Sequence, residues 1–277
     1  MRSKNDDRGA ASLMLQPVVM QYFGESGFFN FGYWLEGTQN QKEACQNLTE
    51  KLLGFSDKKE GVILDVACGL GGTTRHLLKY YDPSSVVGID VSRKQLETSR
   101  ANAPGCSFIL MDAAQLGFQD GQFDKLICIQ SAFYFDTRVS FLHEAHRVLN
   151  LGGRLLLTDI LFSRLVEGRG PIMKLIMRLL ERGGWFLPRG NYVKTLEAYR
   201  DIYLQAGFDE VQVVEATEEC WKKSRRHLMR WAWQKSLERK SGIGTFRRLK
   251  ALIAMALFVT LLSIVIRHYA LVSAKKA

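Results

Sequence analysis

The stretch Val62-Ile-Leu-Asp-Val-Ala-Cys-Gly-Leu-Gly-Gly72 decides how this chain folds. A short apolar run ends in a carboxylate and passes into a glycine-rich turn, the pattern of a buried strand whose turn opens a helix against a ligand. Gly69 and Gly71 let the backbone turn tightly and approach that ligand closely. Working outward, short apolar strands alternate with helices: VVGIDV, a helix over Arg93 to Asn102, SFILMD, KLICIQ, a helix over Val139 to Leu149, and RLLLTDI. Alternation at this spacing predicts an α/β fold, a parallel sheet covered by helices on both faces.

Acidic side chains recur where these strands end. Asp65 opens the turn, Asp90 follows Gly71 by nineteen residues, and Asp112 closes the third apolar run. An acid at the position of Asp90 accepts hydrogen bonds from both hydroxyls of a ribose. Three carboxylates at one sheet edge repel the pyrophosphate of a dinucleotide, which usually sits on a helix N-terminus. They suit a cofactor with a cationic end instead. S-adenosyl-L-methionine fits, with its positive sulfonium and ammonium, its ribose diol and its adenine amine.

Residues 62–160 resemble the class I S-adenosylmethionine-dependent methyltransferases, in the small-molecule subgroup. The resemblance rests on ordered motifs: LDVACGLGG, VVGIDVS, FILMDAAQLGF, FDKLICIQSAFYF and FLHEAHRVLNLGGRLLLTDI. It extends to LEAYRDIYLQAGF at 196–208, to YALVSAK at 269–275, and to the N-terminal FNFGYW, which is similar to the family's lid. It implies a doubly wound, mostly parallel seven-stranded sheet with an antiparallel last strand, plus a helical lid. Carried over by position, Asp65 would support the turn, Gly69 and Gly71 would face the methionine portion, and Asp90 with Val91 would bind the ribose. Asp112 and Ala113 would bind adenine, Gln130 would contact the amino-acid end, and Tyr33 with Trp34 would close over the cofactor. Two departures from the pattern are mild: Ala67 stands where the family usually has a glycine, and Leu151 where it has a proline.

A third departure bears on chemistry. Many small-molecule O-methyltransferases of the family that the chain resembles carry a histidine just after the fourth strand as general base, whereas this chain reads Ala132-Phe-Tyr-Phe135. Tyr134 and Asp159 are then the candidate catalytic residues. His143 and His146 fall within a helix and are expected at the surface or in packing, and no metal-ligand spacing occurs. The acceptor implied is a hydrophobic small molecule, polyketide-, natural-product- or lipid-like, methylated on a hydroxyl. C-methylation of a prenyl- or sterol-like substrate is the alternative, favoured by the aromatic Phe133-Tyr134-Phe135 cluster, and a non-catalytic binding protein is a third reading. A nucleic-acid partner is not expected, since no Asn/Asp-Pro-Pro-Tyr loop follows the fourth strand.

Composition bounds the rest. With 277 residues, 47% hydrophobic and 24% charged, the chain can bury a full core. Its five cysteines, Cys45, Cys68, Cys106, Cys128 and Cys220, form no CxxC pair, which argues against a disulfide framework or zinc site and for a cytoplasmic location. The formal charge of +10 is unevenly placed: residues 1–160 carry 16 basic and 18 acidic side chains, residues 161–277 carry 22 and 10. That basic third contains an amphipathic helix over Pro171–Arg182, a long basic helix over Lys222–Lys240, and an uncharged run from Ala251 to Ile266. The run is about 24 Å long as a helix, short of a comfortable span, and YALVSAK must enter the sheet directly after it. Burial against the lid, a homodimer contact or an in-plane membrane contact are the expectations for it. The domain reading is a disordered tail over 1–12 and one domain over 13–277: a helical lid to 54, the cofactor-binding core over 55–163, and a basic, apolar substrate lid over 164–277.

Overall fold

Ile63–Val66 is strand β1, and all four of its residues are buried because helices cover the sheet on both faces. The computed structural model describes residues 14–135, 137–163, 170–182, 191–237 and 244–277; the tail expected over 1–12 lies outside them. Before β1 come α1 (Pro17–Tyr22) and α2 (Gln41–Leu53). After it follow α3 (Gly72–Leu77), β2 (Val86–Asp90), α4 (Arg93–Asn102), β3 (Ser107–Leu110), β4 (Phe123–Ile129), α5 (Arg138–Val148) and β5 (Leu149–Phe162). The C-terminal third supplies α6 (Pro171–Arg182), α7 (Leu196–Gln205), β6 (Asp209–Glu215), α8 (Lys223–Leu237), α9 (Gly244–Val265) and β7 (Ile266–Lys275).

The seven strands lie in the order β3-β2-β1-β4-β5-β7-β6. The first five are parallel, and β7 inserts antiparallel between β5 and β6, as the motif order implied. One face packs on α2 and α9 through Leu48, Leu52, Ile127, Leu156, Val259 and Leu262. The other packs on α5 and α7 through Phe141, Leu142, Ala145, Tyr199 and Tyr203. Four helices start where a short polar side chain accepts a first-turn amide: Asn40 before α2, Ser92 before α4, Thr137 before α5 and Thr195 before α7.

Element boundaries shift in informative ways. The helix that the glycine turn opens begins at Gly72, directly on that turn, and ends at Leu77. β7 starts at Ile266 rather than Tyr269, so α9 runs straight into the sheet. The basic helix starts at Lys223 after a wide π-type turn over Thr217–Lys222. Among the described residues no helix is long and apolar enough to cross a membrane.

Candidate active site

The turn after β1 is locked from three sides. The Cys68 amide donates to the Ile89 carbonyl of β2 at 2.9 Å. From α4, Ser99 Oγ donates to the Gly69 carbonyl at 2.6 Å and Asn102 Nδ2 to the Leu70 carbonyl at 2.7 Å. Gly71, at φ 79°, caps α3, and a Cβ there would stand 3.0 Å from the Ser99 Cα. A Cβ on Gly72 would stand 2.4 Å from the backbone nitrogen of Phe28, so the N-terminal segment lies directly on this turn. Ala67, the departure from the motif, sits at φ 56°, the left-handed region that glycine enters freely. The chain pays about 1–2 kcal/mol for that methyl group.

Two carboxylates are enclosed here. Asp65 is 2% exposed and accepts from Thr74 Oγ1 at 2.6 Å. Burial pushes its carboxyl up to about 7, the Asp90 charge adds to the rise and the Thr74 hydroxyl opposes it. Asp90 is 7% exposed and accepts the Gly69 amide at 3.0 Å and the Ser92 amide at 2.9 Å; burial raises it too. Among the described residues no lysine, arginine or histidine pairs with either. Two buried acids that only hydroxyl and amide groups satisfy fit a cationic ligand. Val91 is exposed beside Asp90. Asp112 lies two residues past β3 at the surface, where its Oδ1 accepts the Ala114 amide at 2.8 Å, and Ala113 is buried next to it.

Gln130 follows β4 with φ 53°. Its amide donates to the Thr158 carbonyl at 3.0 Å and to Thr158 Oγ1 at 2.9 Å, which fixes the strand end to β5. Its Oε1 accepts the Phe31 amide at 2.9 Å, so the side chain clamps the N-terminal aromatic segment against the carboxyl edge of the sheet. Tyr33 is half-buried, tied by its amide to the Ala44 carbonyl, with Lys51 Nζ 5.8 Å from its ring. Trp34, expected over the cofactor, is only 5% exposed; its indole donates to the Phe31 carbonyl and its ring packs 4.4 Å from His227 of α8. Met14 was not anticipated: its Sδ accepts from Gln95 Nε2 and lies 3.9 Å from where a Cβ of Gly69 would be.

The catalytic candidates fare differently. Tyr134, in the turn Ala132–Tyr134, lies half-buried with its ring 4.1 Å from that of Phe133. Burial raises its phenol, so the hydroxyl is protonated at neutral pH. Asp159 is corrected outright. It is 0% exposed, ion-paired to Arg138 Nε at 2.5 Å, and it accepts from the Tyr199 hydroxyl at 2.8 Å and the Ile160 amide at 2.8 Å. A carboxylate so enclosed and paired has no path to an acceptor proton. His143 is exposed and His146 packs against the Phe208 ring, consistent with their bland expectation.

Sequence reasoning missed two residues of this network. Arg138 is 3% exposed and also donates to the Ile160 carbonyl and, through Nη1, to the Asn191 carbonyl. Asn191 Oδ1 accepts the Arg138 amide at 2.9 Å, while its Nδ2 donates to the carbonyls of Phe135 at 2.6 Å and Phe133 at 3.3 Å. Together they hold the turn after β4. A signal existed: Arg138 precedes Phe141, Leu142 and Ala145 at helical spacing, which puts a cation on the buried stripe of α5.

Residues 64–157 match the family model described as a methyltransferase domain. The 27-O-demethylrifamycin SV methyltransferase of Amycolatopsis mediterranei is 28% identical over 233 residues, 82% of this chain and 79% of the relative. The erythromycin 3''-O-methyltransferase of Saccharopolyspora erythraea is 31% identical over 198 residues, 68% of this chain and 64% of the relative. The fold matches the cyclopropane synthase MmaA2 of Mycobacterium tuberculosis with a TM-score of 0.73 at 17% identity, over 98% of both chains. The chain is a class I S-adenosylmethionine-dependent methyltransferase. Its cofactor is S-adenosylmethionine, and the acidic, glycine-lined turn of this methyltransferase matches that cofactor's positive charge. Among the described residues this methyltransferase has no cluster of three metal-ligating side chains.

Proposed function

We propose that the methyltransferase transfers the methyl group to a hydroxyl of a hydrophobic small molecule of polyketide, natural-product or lipid-like type. The observation that carries the cofactor half is the buried pair Asp65 and Asp90 beside the turn, with no cation among the described residues to neutralise them. S-adenosylmethionine supplies a methyl group already activated on a sulfonium. In this reading Asp90 binds the ribose with Val91 beside it, Gly69 and Gly71 face the methionine portion, and Asp112 with Ala113 receives adenine. Gln130 and Tyr33 close the amino-acid end, Gln130 by holding Phe31 in place. The acceptor half is supported by the relatives named for O-methylation of erythromycin and for 27-O-demethylrifamycin SV.

Neither candidate after β4 takes the acceptor's proton. Displacement at an activated carbon draws most of its acceleration from positioning, and a base would add about 10²–10⁴-fold. The reading therefore expects Tyr134→Phe to keep kcat within about threefold of the parent, far less than the loss of a base would cost. Transfer of a tritiated methyl group to a panel of hydrophobic alcohols and phenols, with the product identified by NMR, checks both points. An ether product supports O-methylation; a kcat loss of a hundredfold or more in Tyr134→Phe contradicts the base-free site. A C-methylated prenyl product supports the second reading, which the aromatic grouping of Phe31 with Trp221 and Tyr269, and of Phe133 with Tyr134, favours through its affinity for carbocations.

A further inference from the structure

From Ile253 onward helix α9 is apolar on both of its faces, apart from Thr260 on the outer stripe, whose hydroxyl donates back to the Ala256 carbonyl. Inward, Val259, Leu262 and Val265 are 5%, 3% and 0% exposed and pack on the sheet. Outward, Ile253, Leu257 and Ile264 are 51%, 60% and 41% exposed and follow one another along the opposite stripe. A helix that is apolar all round is ordinarily buried all round, yet among the described residues nothing covers this stripe. The helices that pack beside α9 continue the pattern. On α6, exposed Leu175 and Leu179 lie one residue along from exposed Lys174 and Arg178, so an apolar row runs next to a basic one. On α8, exposed Arg230 is followed by exposed Trp233 at the next turn.

Charge selects what covers this face. Over α6, α8 and α9 the sequence carries eleven lysines and arginines and a single acid, Glu181; of these cations Lys174, Arg178 and Arg230 are exposed beside the apolar rows, while Lys223 and Arg225 donate to the Trp34 carbonyl and Ser263 Oγ and Arg226 pairs with Glu218. A second copy of the same face would bring like charges together, whereas an anionic surface with an apolar interior satisfies both the charges and the stripe. The helix cannot leave the protein to cross a bilayer, because Ile266, the next residue, already pairs in the sheet with Phe162. We propose that the outer faces of α6, α8 and α9 lie in the plane of an anionic lipid surface, with Ile253, Leu257 and Leu175 inserted among the headgroups. This docking stands apart from the methyl-transfer reading, since none of these residues belongs to the cofactor turn.

Flotation of the full-length protein with sonicated vesicles tests it. The protein is expected to float with equimolar phosphatidylglycerol and phosphatidylcholine, and about tenfold less with phosphatidylcholine alone or in high salt. The double variant Ile253→Asp/Leu257→Asp is expected to lose about tenfold of the anionic binding, with its circular dichroism melt and its calorimetric affinity for S-adenosylhomocysteine as in the parent. Leu175→Asp serves as an independent second variant on α6. Absence of the parent from the anionic vesicles overturns the proposal, as does a folded double variant that floats as well as the parent. A parent dimer in sedimentation velocity that either variant dissolves also overturns it, because a second copy then covers the face. Failure to bind the homocysteine compound in the parent would strike the methyltransferase site and leave the flotation result unaffected.

Discussion

Arg138→Met is expected to destabilise the fold by about 3–5 kcal/mol, because it leaves the Asp159 carboxylate buried without its cation. Both partners are almost wholly enclosed, and the guanidinium also satisfies the carbonyls of Ile160 and Asn191, which would be left without a donor. Removing both charges should cost much less than removing one. The double variant Arg138→Met/Asp159→Leu is therefore expected to recover more than half of the loss, since replacing a whole buried pair by apolar groups is often near neutral. Urea denaturation of the parent and both variants checks this. A single variant within about 1 kcal/mol of the parent, the cost of an ordinary substitution, would show that the pair does not hold the turn after β4. The same network predicts how the loss divides. Asn191 carries the carbonyls of Phe133 and Phe135 but touches nothing at the glycine turn, so Asn191→Ala should lower kcat more than it weakens cofactor binding.

Cofactor affinity is expected to rise about tenfold between pH 6 and pH 7.5, with one proton released on binding. The sign follows from Asp65. An unfolded aspartate ionises near 4, while burial holds the folded carboxyl protonated up to about 7. Without cofactor, the contribution of Asp65 to stability is therefore greatest below pH 4 and is lost as the pH rises through about 7. A cation bound beside it favours the ionised form, so binding expels the proton wherever the free site still holds one. Calorimetry in buffers of different protonation enthalpy reads that proton directly. Asp65→Asn should flatten the pH dependence and melt at a higher temperature than the parent at pH 8, with the difference shrinking at pH 5. A parent whose affinity is flat across this range would place the cofactor's positive end away from Asp65.

How much of this was legible in the sequence follows from what each residue does. The apolar run before Asp65 is continuous because β1 is covered on both faces, so its period was lost but its class was plain. Asp90 declared itself through its spacing from Gly71, a distance that a strand, a turn and a helix make constant. The reach of α9 and the early start of β7 were hidden, because an apolar run gives no mark where a helix becomes a strand. Asp159 was misread for a different reason. Its position near the end of the fifth motif looked catalytic, and only the return of Arg138 and Tyr199 from distant parts of the chain shows that the carboxylate is consumed in the core. Trp34 likewise read as a lid residue until α8 brought His227 against its ring. Contacts between segments far apart in sequence leave no local pattern, and the network behind the turn after β4 is built almost entirely from them.

Titration calorimetry of S-adenosylmethionine into the full-length protein and its Asp90→Ala variant tests the central claim most directly. The parent is predicted to bind one equivalent, and the variant to lose most of that affinity, at least the roughly tenfold worth of one good charge-assisted hydrogen bond. No heat from the parent at millimolar cofactor, or a folded Asp90→Ala protein that binds as tightly as the parent, would contradict it.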